Sequence, residues 1–233
     1  MLREIVLDTE TTGFKATNGD RIVEIGCIEL INHIPSGKDF QTYINPERDM
    51  PDGAFSVHGL SEEFLADKPL FHDIATDFLS FIDDAPLIIH NAPFDMGFLN
   101  FELKKINIQP IKNKIVDTVL LARKIHPGAR VSLDALCKHY GVNNSHRTLH
   151  GALLDSQILA EIYLELIGGR QVALSLSENI SEEPQTKEIN QKTIDLTRTN
   201  RLKDRVSKQE EQAHNELIKN MGENTLWTKL YSK

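Results

Sequence analysis

Two short runs that are apolar at every position, Ile5-Val-Leu7 and Leu87-Ile-Ile89, constrain the fold more than any other feature of this chain. A strand with no polar side belongs inside a sheet rather than at a wet surface. Residues 3–8 therefore read as a buried strand. Residues 22–30, rich in β-branched and apolar side chains, read as a second, and residues 39–45 as a third. Residues 86–90 supply a further short strand, followed by the helix-start signals Asn91 and Pro93. Apolar stripes at helical spacing run through residues 71–81, 94–103, 118–125, 133–140 and 148–167. A three-strand meander followed by strands alternating with helices predicts a mixed α/β domain with helices packed on its sheet.

The patterning stops after Gly168 and Gly169. At 233 residues the chain has room for one catalytic domain, residues 1–170, plus an appendage. Residues 177–198 are polar and acidic and read as a flexible linker. Beyond it, Val206, Ala213, Leu217 and Met221 form a helical stripe ending near Gly222, and Leu226 and Trp227 follow. A tail this small cannot hold its own core, so residues 199–233 need a partner surface. The chain shows no internal repeat and no low-complexity tract.

Acids at Glu4 and Asp8 are foreign to a signal peptide, and no apolar run is long enough to span a bilayer. Cys27 and Cys137 stand far apart without a C-x-x-C partner, which points to a reducing, cytoplasmic setting. The net charge of −8 argues against broad, sequence-independent binding along a nucleic-acid backbone. It leaves room for an enzyme that grips only a strand end and neutralises phosphate with divalent metal.

Carboxylates carry the chemistry. Asp8 and Glu10 sit where the first strand runs out, and strand alternation puts them on one face. Two such acids repel unless a cation lies between them, the plainer alternative being one acid capping a turn and one in water. Asp155 stands on an apolar helical stripe with Ala152, Ile158 and Leu159, with no Lys or Arg at one-turn spacing. That placement calls for a cation or for backbone donors from a neighbouring loop. Asp95 falls at a helix start, where an acid complements the helix dipole but also faces the usual site of an α/β sheet. On one continuous helix His150 and Asp155 would point about 140° apart, so His150 belongs at or before the helix start, leaning over the site as a general base. His146 and His150, four apart, raise zinc as an alternative, without an H-E-x-x-H pattern or a firm third ligand. Four carboxylates from three separated segments plus one histidine match two-metal phosphodiester hydrolysis, and oxygen-rich ligands favour Mg²⁺ or Mn²⁺.

Three stretches then stand in a telling order: residues 8–14, beginning Asp8-Thr-Glu10; residues 90–95, ending in Asp95; and residues 150–155, running from His150 to Asp155. They resemble the three motifs of the DEDDh exonuclease family, the H-x-x-x-x-D spacing marking its histidine branch. The resemblance covers about the first 170 residues. It implies a ribonuclease H-like fold and release of nucleoside 5′-monophosphates from a 3′ end. By the same resemblance Asp8 bridges two metals, Glu10 and Asp155 complete the first metal's shell, Asp95 holds the second, and His150 takes the proton from the attacking water. Thr9, Thr11, Thr12, Gly53, His58 and Asn91 fall among the family's substrate-side positions, joined there by Asp8, Glu10 and Asp155. Ser61 after His58 reads as a helix cap.

Outside the catalytic motifs, residues 132–137 and 144–156 are similar to the branch that proofreads for bacterial replicative polymerases. Residues 171–176 resemble that branch's sliding-clamp-binding motif, with Gln171, Leu174 and Leu176 entering the clamp (beta) pocket. Residues 199–233 resemble its tether to the polymerase catalytic (alpha) subunit, with Trp227 as an anchor. The expected substrate is a single-stranded or frayed DNA 3′ end. An exoribonuclease trimming RNA ends and a non-catalytic scaffold linking polymerase and clamp are the competing readings. The linker and tail favour DNA proofreading, and the full set of five site residues opposes the scaffold.

Overall fold

A computed structural model describes residues 2–145, 149–168 and 207–220. Strands β1 (Arg3–Thr11), β2 (Ile22–Ile31) and β3 (Ile34–Tyr43) form the antiparallel meander, and β4 (Leu87–Ile89) and β5 (Ile115–Asp117) extend the sheet in parallel beyond β1. The order is β3-β2-β1-β4-β5, which makes β1 central and explains its apolar run.

Period-two alternation sorts β1 onto two faces. Ile5 and Leu7 point into a core shared with α3 (Phe71–Ile82) and α4 (Ala92–Lys105), through Phe78, Phe98 and Leu99. Val6 points the other way, with Ile28, Leu30 and Ile88, against Leu159 and Tyr163 of α7 (Ala152–Leu166). Two shorter helices, α5 (Thr118–Ile125) and α6 (Leu133–Tyr140), pack on the outer side of α7 through Ala122, Leu136, Ile158 and Ile162.

The structure differs from the sequence pattern in two boundaries and adds elements in two places. The third strand begins at Ile34, not at residue 39, because its first half is an exposed edge of Pro35, Ser36, Gly37 and Lys38 with no apolar alternation to reveal it. A fifth strand, β5, went unread; three residues are too few for a pattern. The segment around His58, for which the sequence pattern gave only the cap at Ser61, holds α1 (Asp52–His58) and α2 (Glu62–Leu65), separated by Gly59 at φ +71°. Ser61 does cap α2, its hydroxyl accepting from Phe64 N. Helix α7 starts at Ala152 rather than residue 148, with His150 ahead of it, as its spacing from Asp155 predicts.

Contacts divide the chain into two units, Met1–Leu176 and Ser177–Lys233. In the second, the helical stripe read from sequence takes shape as α8 (Lys208–Asn220), opened by a reciprocal cap between Ser207 and Glu210. Leu217 is exposed on it. Among the described residues no helix is long and apolar enough to cross a membrane.

Candidate active site

β1 outruns its parallel neighbour. Its pairing with β4 ends at Leu7, while its pairing with β2 continues to Thr11. Residues 8–10 therefore project past the ends of β4 and β5, over the crevice where an α/β sheet builds its sites. The alternation that sorted the core sorts the site as well. Thr9 faces α4, where its hydroxyl donates to Asp95 Oδ1 at 2.7 Å. Asp8 and Glu10 face α7 and Asp155.

Three residues that sequence reading passed over bring α7 to that place. Gly26, paired across the sheet with Asp8, lies so close to the helix that a Cβ there would stand 2.2 Å from Leu153 N and 2.3 Å from the Ala152 carbonyl carbon. Ser156 Oγ donates to the Gly26 carbonyl at 2.9 Å. Glu24, buried on the next inward position of β2, accepts from Ala152 N at 3.1 Å through Oε2 and from Gln41 Nε2 at 2.8 Å through Oε1. The residue before α7, Gly151, has no side chain to cap it, so a glutamate from another strand satisfies the helix's first amide. Burial pushes the Glu24 carboxyl above its ordinary range, while those donors pull it back. No local signal sets Glu24 apart, because the same strand carries a second acid, Glu29, which pairs with Arg3 instead.

Asp155, 3 % exposed, lies in the first turn of α7. His150 Nδ1 stands 3.4 Å from its Oδ2, with His150 half in solvent. The strap carrying His150 is tied to α1 by a hydrogen bond from its own amide to the Val57 carbonyl, 3.0 Å, and by Leu149 seated over Gly59. Glu10, His150 and Asp155 offer ligand atoms that all lie within 4.8 Å of one another. Asp8 and Asp95 line the same cleft, of about 310 Å³, without joining that tightest trio. Burial pushes the Asp95 carboxyl up to about 7 against the pull of the Thr9 hydroxyl, with Asp117 adding to the rise. A buried, acid-rich cleft of this kind fits a hard divalent cation.

A second cavity, about 620 Å³, adjoins the first and shares Thr9, Glu10 and Phe94 with it. Thr11, Thr12, Gly53 and His58 line it, as does Phe14, which is 86 % exposed. Asn91 lines neither cavity. It adopts φ +68° and turns β4 into α4. His58 is 5 % exposed; its Nδ1 accepts from Leu60 N at 3.0 Å, which leaves the proton on Nε2. That Nε2 is buried beside the Thr11 backbone with no hydrogen-bond partner among the described residues, and burial lowers the ring's pKa, so His58 is neutral near pH 7. His146, Gln171, Leu174, Leu176 and Trp227 lie outside the described residues.

A β3-β2-β1-β4-β5 sheet with acids converging from β1, α4 and α7 defines the nucleases of ribonuclease H-like fold. The chain belongs to the exonuclease family, whose model matches residues 5–163. It is a 3′→5′ exonuclease, and over 223 residues it is 51 % identical to DNA polymerase III subunit epsilon of Rickettsia felis, a match spanning 93 % of this chain and 96 % of that one. Among solved structures it is similar to exonuclease X in complex with 5′ overhanging duplex DNA (27 % identity, TM-score 0.57, covering 72 % of this chain and 91 % of that one). Its fold is also that of the nuclease domain of a DEDDh family member bound to rAMP, at 18 % identity and TM-score 0.62, covering 71 % of this chain and 91 % of that one.

Proposed function

We propose that this chain proofreads replicative DNA synthesis, removing the 3′-terminal nucleotide of a frayed primer as the nucleoside 5′-monophosphate. The observation that carries the reading is the convergence of Asp8, Glu10, Asp95, His150 and Asp155 on one cleft beside a cavity of nucleotide size. Asp8, Glu10 and Asp155 would hold one divalent ion, and Asp8 with Asp95 a second. Two Mg²⁺ or Mn²⁺ ions, when bound, supply charge stabilisation for the attacking and leaving oxygens of an in-line displacement.

The remaining work falls to the chain's own groups. His150, half-exposed and held from behind by the Val57 carbonyl, takes a proton from the attacking water, and Asp155 orients its ring. The terminal nucleoside occupies the adjoining cavity, against Phe14 and Phe94, with the backbone of residues 9–12 along its sugar. The neutral His58 offers its Nε2–H to that nucleotide. A mispaired end frays at little cost and so enters a single-strand site more readily than a paired one. Residues 199–233, with Trp227, would tether the enzyme to the polymerase catalytic subunit. Residues 171–176, through Gln171, Leu174 and Leu176, would bind the sliding clamp.

The test is release of a 3′ label from a mismatched primer–template in Mg²⁺, beside Asp8→Ala and an RNA strand of equal length. The reading expects mononucleotide from DNA, faster at the mismatch, and an inert variant. Faster cutting of RNA would remove the replicative role, and no cutting of either would remove the metal site.

A further inference from the structure

Hydrolysis of a terminal phosphodiester divides the substrate in two. The leaving nucleotide lies on one side of the cleft and the rest of the strand on the other. Under the proposed function the leaving nucleotide fills the cavity that shares Thr9, Glu10 and Phe94 with the cleft. Besides Asp8, Asp95, Asp155 and His150, the lining not shared with that cavity consists of His90 and of Ser132, Leu133 and Asp134 at the start of α6. His90 and the segment 132–134 are thus the walls by which the retained strand can leave, and charge favours the segment 132–134.

The chain beyond it has the opposite charge to the molecule as a whole. Residues 118–145 carry four cations, Arg123, Lys124, Arg130 and Lys138, against one acid, Asp134, in a protein of net charge −8. All four cations are exposed, and none has an ion-pair or hydrogen-bond partner among the described residues. Asp134 is engaged, accepting from Asn144 at 3.0 Å. Arg123, Lys124 and Lys138 sit in the last turns of α5 and α6, where cations complement the helix dipole, so they have a reason to be there without a ligand. Arg130 has none. It lies in the connection between the two helices, two residues ahead of Ser132, which places its Cα within about 7 Å of that cleft residue.

We propose that Arg130 holds a backbone phosphate of the retained DNA strand just upstream of the scissile bond, with Lys138, Lys124 and Arg123 forming an outer basic track for later phosphates. The ends of α5 and α6 that carry those outer cations are joined by His126 Nε2 and Tyr140 OH, 2.6 Å apart. They lie about one eight-residue helix, or ~12 Å, from the cleft. A guanidinium suits this position because its fork pairs with two phosphate oxygens at once.

This inference rests on the exonuclease reading, and two substrates separate them. The 5′-p-nitrophenyl ester of thymidine monophosphate fills only the cleft and the terminal-nucleotide cavity; a single-stranded oligodeoxynucleotide also spans the proposed track. Arg130→Ala is expected to raise KM for the oligonucleotide about fivefold to tenfold, and to flatten the dependence of log(kcat/KM) on log[salt] by about 0.7, the share of one single-strand phosphate contact. Arg130→Lys should recover part of the KM, and hydrolysis of the ester should be unchanged throughout. An unaltered KM and salt slope on the oligonucleotide would overturn the track, as would an equal loss on the ester. A wild-type enzyme that cleaves neither substrate overturns the exonuclease reading and the track with it.

Discussion

The two adjoining hollows of the site are built on different principles. The acid cleft gathers side chains from β1, α4 and α7, each fixed by buried hydrogen bonds: Thr9 to Asp95, Ser156 to Gly26, Ala152 to Glu24. The larger cavity draws mostly on two continuous stretches, residues 9–20 and 51–58, and its rim holds exposed apolar groups such as Phe14 and Val57. Chemistry that depends on charge placement needs the rigid design, because a displacement of about 1 Å at a reacting centre can cost a hundredfold in rate. Recognition of any of four bases needs only a tolerant apolar surface, since every base has a π-face. Changes in the cleft should therefore lower kcat on every substrate, and changes in the cavity should move KM.

The largest effect is expected from Asp155→Asn. It removes one of the charges proposed to hold metal and keeps the shape, so kcat should fall by about 10³-fold on oligonucleotide and nucleotide ester alike, with thermal unfolding little changed. A loss confined to KM would break the distinction between the two hollows. Gly26→Ala comes next. Its Cβ meets helix backbone, not a flexible side-chain end, so α7 must move. We expect about 1–3 kcal/mol of destabilisation in chemical unfolding, together with a fall in kcat. Unchanged activity would mean that Asp155 tolerates a displaced helix.

A third prediction concerns pH. Folding raises the Asp95 carboxyl from 3.8 to about 7, so over this interval the unfolded chain binds fewer protons than the fold. The metal-free fold should lose stability as pH rises through that window and level off above it. Mg²⁺, which needs the ionised carboxylate, should restore more stability at pH 8 than at pH 6. Thermal unfolding in chelator, with Asp95→Asn as reference, checks this; parallel curves for the two proteins would remove Asp95 from the account. The smallest effect is expected from Phe14→Ala, a severalfold rise in KM with kcat held, in line with about 1 kcal/mol for a base–aromatic contact. A fall in kcat instead would show that the cavity also aligns the reacting phosphate.

How much of this could be read beforehand follows from what each residue has to do. The gathering of Asp8, Glu10, Asp95, His150 and Asp155 was legible because the motifs they match keep fixed residue types in fixed order, and all five line one cleft. The α/β class was legible from the apolar runs of β1 and β4. The edge strand β3 and the three-residue β5 were not, since an exposed edge needs no apolar alternation and so short a strand shows no period. Glu24, Gly26 and Ser156 were invisible for a different reason. Their partners lie 128 to 130 residues away, and nothing local distinguishes a glutamate that caps a distant helix from one in water.

By itself, then, the sequence determined the strand alternation that turns Thr9 toward one helix and Asp8 and Glu10 toward another, because side-chain direction along a strand is a local matter of backbone geometry. It also determined which acids there were to gather. Only the tertiary structure decided how near α7 comes to the sheet, and hence where Asp155 and His150 stand. That distance is set by a missing Cβ at Gly26 and a buried hydrogen bond to Glu24, and neither acts until the two segments are already in contact.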